Sequence, residues 1–250
     1  MSLTGISLTE PSFFDTVKKQ FLYKLKGRLG LFLAMMGVQI MGLLFSLSGA
    51  SSHGMGDNFL YVSVNEFSSD QIIWFTFFWI FVVAVLITTK DYQNIDFTFV
   101  ANRLSSHLSN VGFLITAAVI GGVTAMLSGI LLRIVIYFTR GHYLLSENFI
   151  AAPEVVLTGI AVTILYLLLV SALGYFCGVL VQLSKVFIVI LPALYIGTVD
   201  FLARELPVIV KVYNFIIGEN SLALLAVKVL ITTALIYACS CVLANRLEVR

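Results

Sequence analysis

Long apolar stretches separated by short polar ones set the pattern of this chain. Residues 29–47 run without a charge, and residues 72–88 form a second stretch rich in aromatic side chains. A third stretch, 111–132, ends at Arg133, and a fourth covers 155–181. A shorter fifth covers 186–199, and a sixth covers 222–244 with Lys228 inside it. A helix needs about 20 apolar residues to cross some 30 Å of hydrocarbon. Only 186–199 falls well short and needs flanking residues to span. None of the stretches alternates with a period of two, as the ~9–11-residue strands of a membrane barrel would. The pattern predicts an all-α membrane protein with six transmembrane helices.

The polar intervals carry structure of their own. In 12–28, Phe13, Phe14, Val17, Phe21 and Leu25 share one side of a helical wheel, with Asp15, Lys19 and Lys26 opposite. Lys18 and Lys24 fall on the flanks of the apolar side, where a long side chain can snorkel outward. Residues 1–28 are therefore expected to be a cytoplasmic tail ending in a basic amphipathic interfacial helix, and 29–250 the six-helix membrane domain. Attraction to anionic lipid and docking of a partner subunit both suit such a helix. The interval 48–71 has no Lys or Arg and carries Asp57, Glu66 and Asp70; the pattern assigns it no structure.

In the loop 89–110, Asp96 can cap a short helix over 97–107. Its Tyr92, Phe97, Phe99 and Arg103 suit a knob inserted into a cytoplasmic partner, or a short helix lying on the membrane. Residues 200–221 hold an apolar core too short for a seventh span, and it contains Lys211. They are expected to form a re-entrant or interfacial segment on the outer side, opened by Pro207.

Composition narrows the class. Hydrophobic residues make up 60% and charged residues 11%, against about 25% charged in soluble domains, so a soluble enzyme is excluded. The net charge of +2 offers no field for nucleic acid. Lys18, Lys19, Lys24, Lys26, Arg28, Lys90, Arg103, Lys185, Arg246 and Arg250 collect on one side of the predicted spans. Arg133, Arg140, Arg204, Lys211 and Lys228 fall on the other. The excess marks the first side as cytoplasmic and places both termini inside. The free-energy source is not in the chain. No P-loop occurs, since Gly-Lys is never found. No predicted span carries Asp or Glu in its interior, where a proton- or cation-driven carrier keeps its switch. His53, His107 and His142 are scattered and expected in loops, and Cys177, Cys239 and Cys241 lie in apolar runs without metal-ligand spacing.

Two features within the spans invite function. Trp74, Phe77, Phe78 and Phe81 fall on one helical stripe of the second span. They read either as a lipid-facing aromatic belt or as the wall of a pathway for hydrophobic cargo. Gly174 and Gly178, like Ala118, Gly121, Gly122, Ala125 and Gly129, are small residues at spacings that let helices approach, within one subunit or across a dimer.

Taken together, the interfacial helix at 12–28, six spans, a loop at 89–110 and a broken segment at 200–221 resemble the permease subunit of an ABC transporter of the bacterial ABC-2 exporter type. The resemblance covers essentially the whole chain and rests on architecture. It implies a homodimer of permeases in the cell membrane, with ATP and Mg bound by a separate ATP-binding cassette subunit and no catalysis in this chain. It implies a coupling helix within 91–110, with Tyr92, Phe97, Phe99 and Arg103 at the ATPase. It also implies a pathway between two permeases that raises the weight of Trp74, Phe77, Phe78 and Phe81, for a hydrophobic or amphipathic cargo such as a peptide or antibiotic. Two other classes share the outline: the membrane-embedded binding component of a vitamin-uptake system, and a non-transporting immunity or signalling protein.

Overall fold

The computed structural model of the chain describes residues 12–48, 51–57, 60–66, 69–89, 92, 103–140, 153–190, 193 and 221–246. Helix α1, Phe13–Gly27, starts where Ser12 takes an extended backbone and its hydroxyl oxygen accepts the Asp15 N–H. Asp15 in the first turn and Lys24 and Lys26 in the last complement the helix dipole. Arg28 is the joint: its N–H closes α1 on the Lys24 carbonyl, and α2, Leu29–Leu47, begins at the next residue. Helix α3 covers Asp70–Thr88, α4 Arg103–Arg140, α5 Pro153–Leu183 and α6 Leu222–Arg246. Pro153 opens α5, a position where its missing N–H costs nothing. Among the described residues five helices, α2 to α6, are long and apolar enough to cross a membrane. The chain is thus an α-helical multi-pass membrane protein.

The predicted spans 29–47, 72–88, 155–181 and 222–244 match α2, α3, α5 and α6 to within two residues at each end. The third differs. Helix α4 has 38 residues, about 57 Å at 1.5 Å per residue, so it outruns the hydrocarbon. Residues 103–107, expected in a separate short helix, are instead its first turns. His107, expected in the interval between the second and third spans, therefore belongs to the same long helix as the third span. The interval between α2 and α3 is also corrected: Ser51–Asp57 (β1) and Leu60–Glu66 (β2) form an antiparallel hairpin, with Ser51 opposite Glu66 and Asp57 opposite Leu60. His53 lies in β1. After α5 the chain breaks at Ser184 and makes one short helical turn at 187–190, held by bonds such as Phe187 N–H to Ser184 O at 3.1 Å. The rest of the predicted fifth span, apart from residue 193, and the re-entrant segment up to residue 220 lie outside the described residues.

Helix α5 sits at the centre, packed on α3, α4 and α6, while α2 leans on α3 and α4, and α1 on α4. Small residues set the spacing. A Cβ on Gly174 would lie 2.8 Å from the Phe81 carbonyl oxygen, and one on Gly178 would strike the Thr88 side chain. A Cβ on Gly122 would meet Ile164 Cγ1 at 2.6 Å. The glycine pair of α5 is therefore spent inside the protomer, on α3, and not on a dimer seam. Where association gains nothing from water exclusion, such close backbone contact is what holds helices together. The buried side chains of α3, Ile72, Thr76, Trp79, Ile80, Val83, Ala84 and Ile87, recur at three- and four-residue spacing and face this core.

Candidate functional site

The most unusual polar chemistry lies where α1 meets the head of α4. Gln20, Lys24 and Arg28, spaced four apart, are all buried on one face of α1. Lys24 is 2% exposed and does not snorkel as the wheel suggested. Its ammonium donates to Asn110 Oδ1 and Ser109 Oγ, each at 2.7 Å, and to the Ser106 carbonyl and Oγ, each at 3.1 Å. Four acceptors for three protons satisfy a buried cation that would otherwise cost several kcal/mol. Ser109 Oγ also lies 3.5 Å from Gln20 Oε1. One turn on, the Arg28 guanidinium lies 5.1 Å from the Tyr92 ring centre and 5.6 Å from that of Phe113. Such stacking suits a delocalised cation. Phe21 closes the seam over Gly112, where a Cβ would come within 3.3 Å of its ring.

This seam joins three parts of the chain: the interfacial helix, the joint into the first span, and the start of the third. The elements predict why. Ser105, Ser106, Ser109 and Asn110 are poor mid-helix residues, yet here they head a helix, with Ser106, Ser109 and Asn110 turned toward α1. Next to them, His107 Nδ1 lies 2.6 Å from the Tyr175 hydroxyl of α5. The Tyr175 ring packs 5.8 Å from that of Tyr237 on α6, and the Tyr237 hydroxyl lies 2.8 Å from Ser171 Oγ. The head of α4 is thereby tied to α1 on one side and to α5 on the other.

A second polar knot sits deeper. Gln39 of α2 is buried and its Nε2 donates to Thr124 Oγ1 at 3.0 Å, and to Thr76 Oγ1 and the Gly121 carbonyl at 3.3 Å each. It pins α2 to α3 and α4 by the kind of interhelical bond that serves as glue in lipid.

The predicted residues divide. Of the aromatic stripe, Trp74 is 69% and Phe78 66% exposed, on the outer surface of the protomer. Phe77 and Phe81 are half-buried; Phe77 packs edge-on to Trp74 at 5.9 Å and leans on the core. Trp79 turns the other way, buried, with its indole N–H donating to the Leu31 carbonyl at 3.1 Å. Of the coupling residues, Tyr92 is brought onto Arg28, and Arg103 opens α4. Phe97, Phe99 and the Arg103 side chain lie outside the described residues. Gln20, Ser106, Ser109 and Asn110 were not singled out from sequence, and Lys24 was expected to snorkel outward and not to meet α4. The signal available was the run Gln20, Lys24, Arg28 at a helical repeat.

Among the described residues no group of three or more His, Cys, Asp or Glu side chains could hold a metal ion. Comparison with known proteins finds no matching family model, no matching curated sequence and no matching solved structure.

Proposed function

We propose that this chain is the membrane subunit of an ATP-driven exporter, and that the α1–α4 seam is the part through which a separate ATPase moves it. The carrying observation is the buried Lys24, held by Ser106, Ser109 and Asn110 at the head of a helix that outruns the membrane. A lone helix on a membrane surface has no need to bury a cation in a neighbour. A helix that must move together with the neighbour gains from it, because pulling the α4 acceptors away strands a buried charge. Force applied at the loop before Arg103 would then shift α1, α2 and α4 as one piece.

In this reading ATP and Mg are bound by the partner subunit, both termini are cytoplasmic, and the membrane is a bacterial cell membrane. The predicted fifth span, added to α2–α6, completes a six-helix protomer that works as a homodimer. Tyr92, Phe97, Phe99 and Arg103 face the ATPase. Trp74 and Phe78, outward on the protomer, are where two copies would enclose a hydrophobic or amphipathic cargo, with Phe77 and Phe81 behind them. Exposure of large aromatics on one face supports a ligand-lining role as well as lipid contact.

The test is reconstitution with the P-loop subunit that purifies with the chain. Charge reversal at Arg103, or Ala at both Phe97 and Phe99, should leave ATP hydrolysis running while transport falls at least tenfold. Transport at the wild-type rate in both variants would remove the coupling assignment.

A further inference from the structure

The same seam decides what the other side of α1 can do. Helix α1 carries four lysines, Lys18, Lys19, Lys24 and Lys26, and one acid, Asp15. The structure separates them. Lys24 is committed inward to α4, whereas Lys18, Lys19 and Lys26 are exposed. Asp15 is engaged at the helix start by the Ser12 hydroxyl, 2.8 Å away. Lys18, Leu22 and Lys26 recur every fourth residue, so the three free-standing charges flank Leu22, which is 43% exposed. Phe14, 77% exposed, extends the same side toward the helix start. One residue beyond α1 the chain enters the first candidate span, so α1 adjoins the end of a helix apolar enough to cross a membrane.

We propose that this outer side of α1 is a binding surface for anionic lipid headgroups, engaging Lys18, Lys19 and Lys26 while Phe14 and Leu22 enter the acyl boundary. Charge complementarity argues for that occupant. Three cations with exposed apolar neighbours, next to the end of a candidate span, combine the two signals that stable interfacial binding requires. An acidic protein surface would satisfy the lysines but would need no outward Phe14 and Leu22. The seam makes the surface consequential: because Lys24 ties α1 to α4, the charge of the leaflet bears on the head of the third span. The inference deepens the proposed exporter reading in that consequence alone; lipid binding itself does not depend on an ATPase.

The experiment uses the full chain, without any partner, in phosphatidylcholine vesicles containing a minor fraction of phosphatidylglycerol. The lipids retained after mild detergent extraction are quantified by mass spectrometry. Phosphatidylglycerol should be enriched at least about fivefold over its bulk fraction at low salt, the factor that ~1 kcal/mol from a single lysine gives. The variant K18Q/K19Q/K26Q should lose that enrichment, and K18R/K19R/K26R should keep it. K24M, which removes the same charge per substitution from the same helix, should leave the enrichment unchanged. Helix content by circular dichroism checks that each variant is folded. The proposal is overturned if the wild-type chain shows no preference, if the triple Gln variant retains it, or if K24M loses as much per lysine as the triple variant does. A chain that fails this test but still couples to an ATPase would leave the exporter reading standing.

Discussion

Stranding the buried ammonium of Lys24 should cost more than removing it. In the double variant Ser109→Ala, Asn110→Leu, the cation keeps its seat but loses its two shortest contacts, both 2.7 Å. Hydrogen bonds to a charged group are worth about 1.5–3 kcal/mol each, so two amount to about 3–6 kcal/mol. Ser106 still offers its carbonyl and hydroxyl, both at 3.1 Å, which holds the loss to about 3–5 kcal/mol. Lys24→Met is milder. Methionine fills the slot with a flexible apolar chain, and Ser109 keeps its own bond to the Ser106 carbonyl at 2.8 Å. Only the amide of Asn110 is left short of a contact, at about 1–2 kcal/mol. Adding Lys24→Met to the double variant should therefore restore stability, giving a coupling of at least about 2 kcal/mol in the cycle. The assay reads α1 docking directly. Phe21→Cys with Gly112→Cys, in a background lacking Cys177, Cys239 and Cys241, places two thiols across the seam. Crosslinking yield, together with thermal unfolding in detergent, reports how often α1 is seated. The reasoning is refuted if Lys24→Met is as damaging as the double variant, or if the triple combination is worse than either.

The other predictions concern the helix contacts. Gly178→Ala should lower stability by about 1–3 kcal/mol, since its Cβ strikes Thr88, and Thr88→Ala should recover part of it, read by thermal unfolding. Gln39→Leu should cost under about 1 kcal/mol, because Thr76 and Thr124 keep bonds to Ile72 and Ile120 carbonyls at 2.7 and 2.8 Å; a loss above 3 kcal/mol would mean the knot is worth more than interhelical bonds in lipid usually are. Trp74→Ala and Phe78→Ala should leave unfolding within about 0.5 kcal/mol of wild type, as exposed positions do, while changing which hydrophobic cargo is transported. Trp79→Phe, by contrast, should cost about 1 kcal/mol or more through the lost bond to Leu31.

The spans 29–47, 72–88, 155–181 and 222–244 were legible because their signal is apolar length, and lipid imposes that length on every helix that crosses it. Helix α4 shows where the signal fails. Its first turns, Arg103–Ser109, are polar and look like loop to any hydropathy window, yet they stay helical because α1 covers them and Lys24 engages their oxygens. The Lys24 contact itself was hidden for a related reason. A wheel places Lys24 beside the apolar side but does not say what it meets, and its acceptors lie more than eighty residues away. His107 was hidden in the same turns, and its partner Tyr175 sits in the middle of an apolar run. The glycine pair of α5 was visible, but its choice of partner was not: only the packed structure assigns Gly174 and Gly178 to Phe81, Ala84 and Thr88. The aromatic stripe illustrates a finer loss. Four residues at helical spacing share a side, but Trp74 and Phe78 face out while Phe77 and Phe81 lie at the edge of the stripe and turn partly in. Half of the hairpin Ser51–Glu66 carried no readable signal: its first strand, SSHGMGD, has almost no β-formers, and the Tyr-Val-Ser-Val of the second has no partner that the sequence announces.

The central claim is that this chain draws its energy from a separate ATPase through the head of α4. It is tested most directly by gentle purification of the intact chain from its native membrane, followed by protein mass spectrometry and an ATP hydrolysis assay. The prediction is a P-loop subunit at a one-to-one ratio with this chain. Its ATP hydrolysis should respond to cargo in the wild-type complex and cease to respond in the Ser109→Ala, Asn110→Leu variant. A chain that purifies free of any P-loop protein, or a complex whose hydrolysis responds identically in that variant, would contradict it.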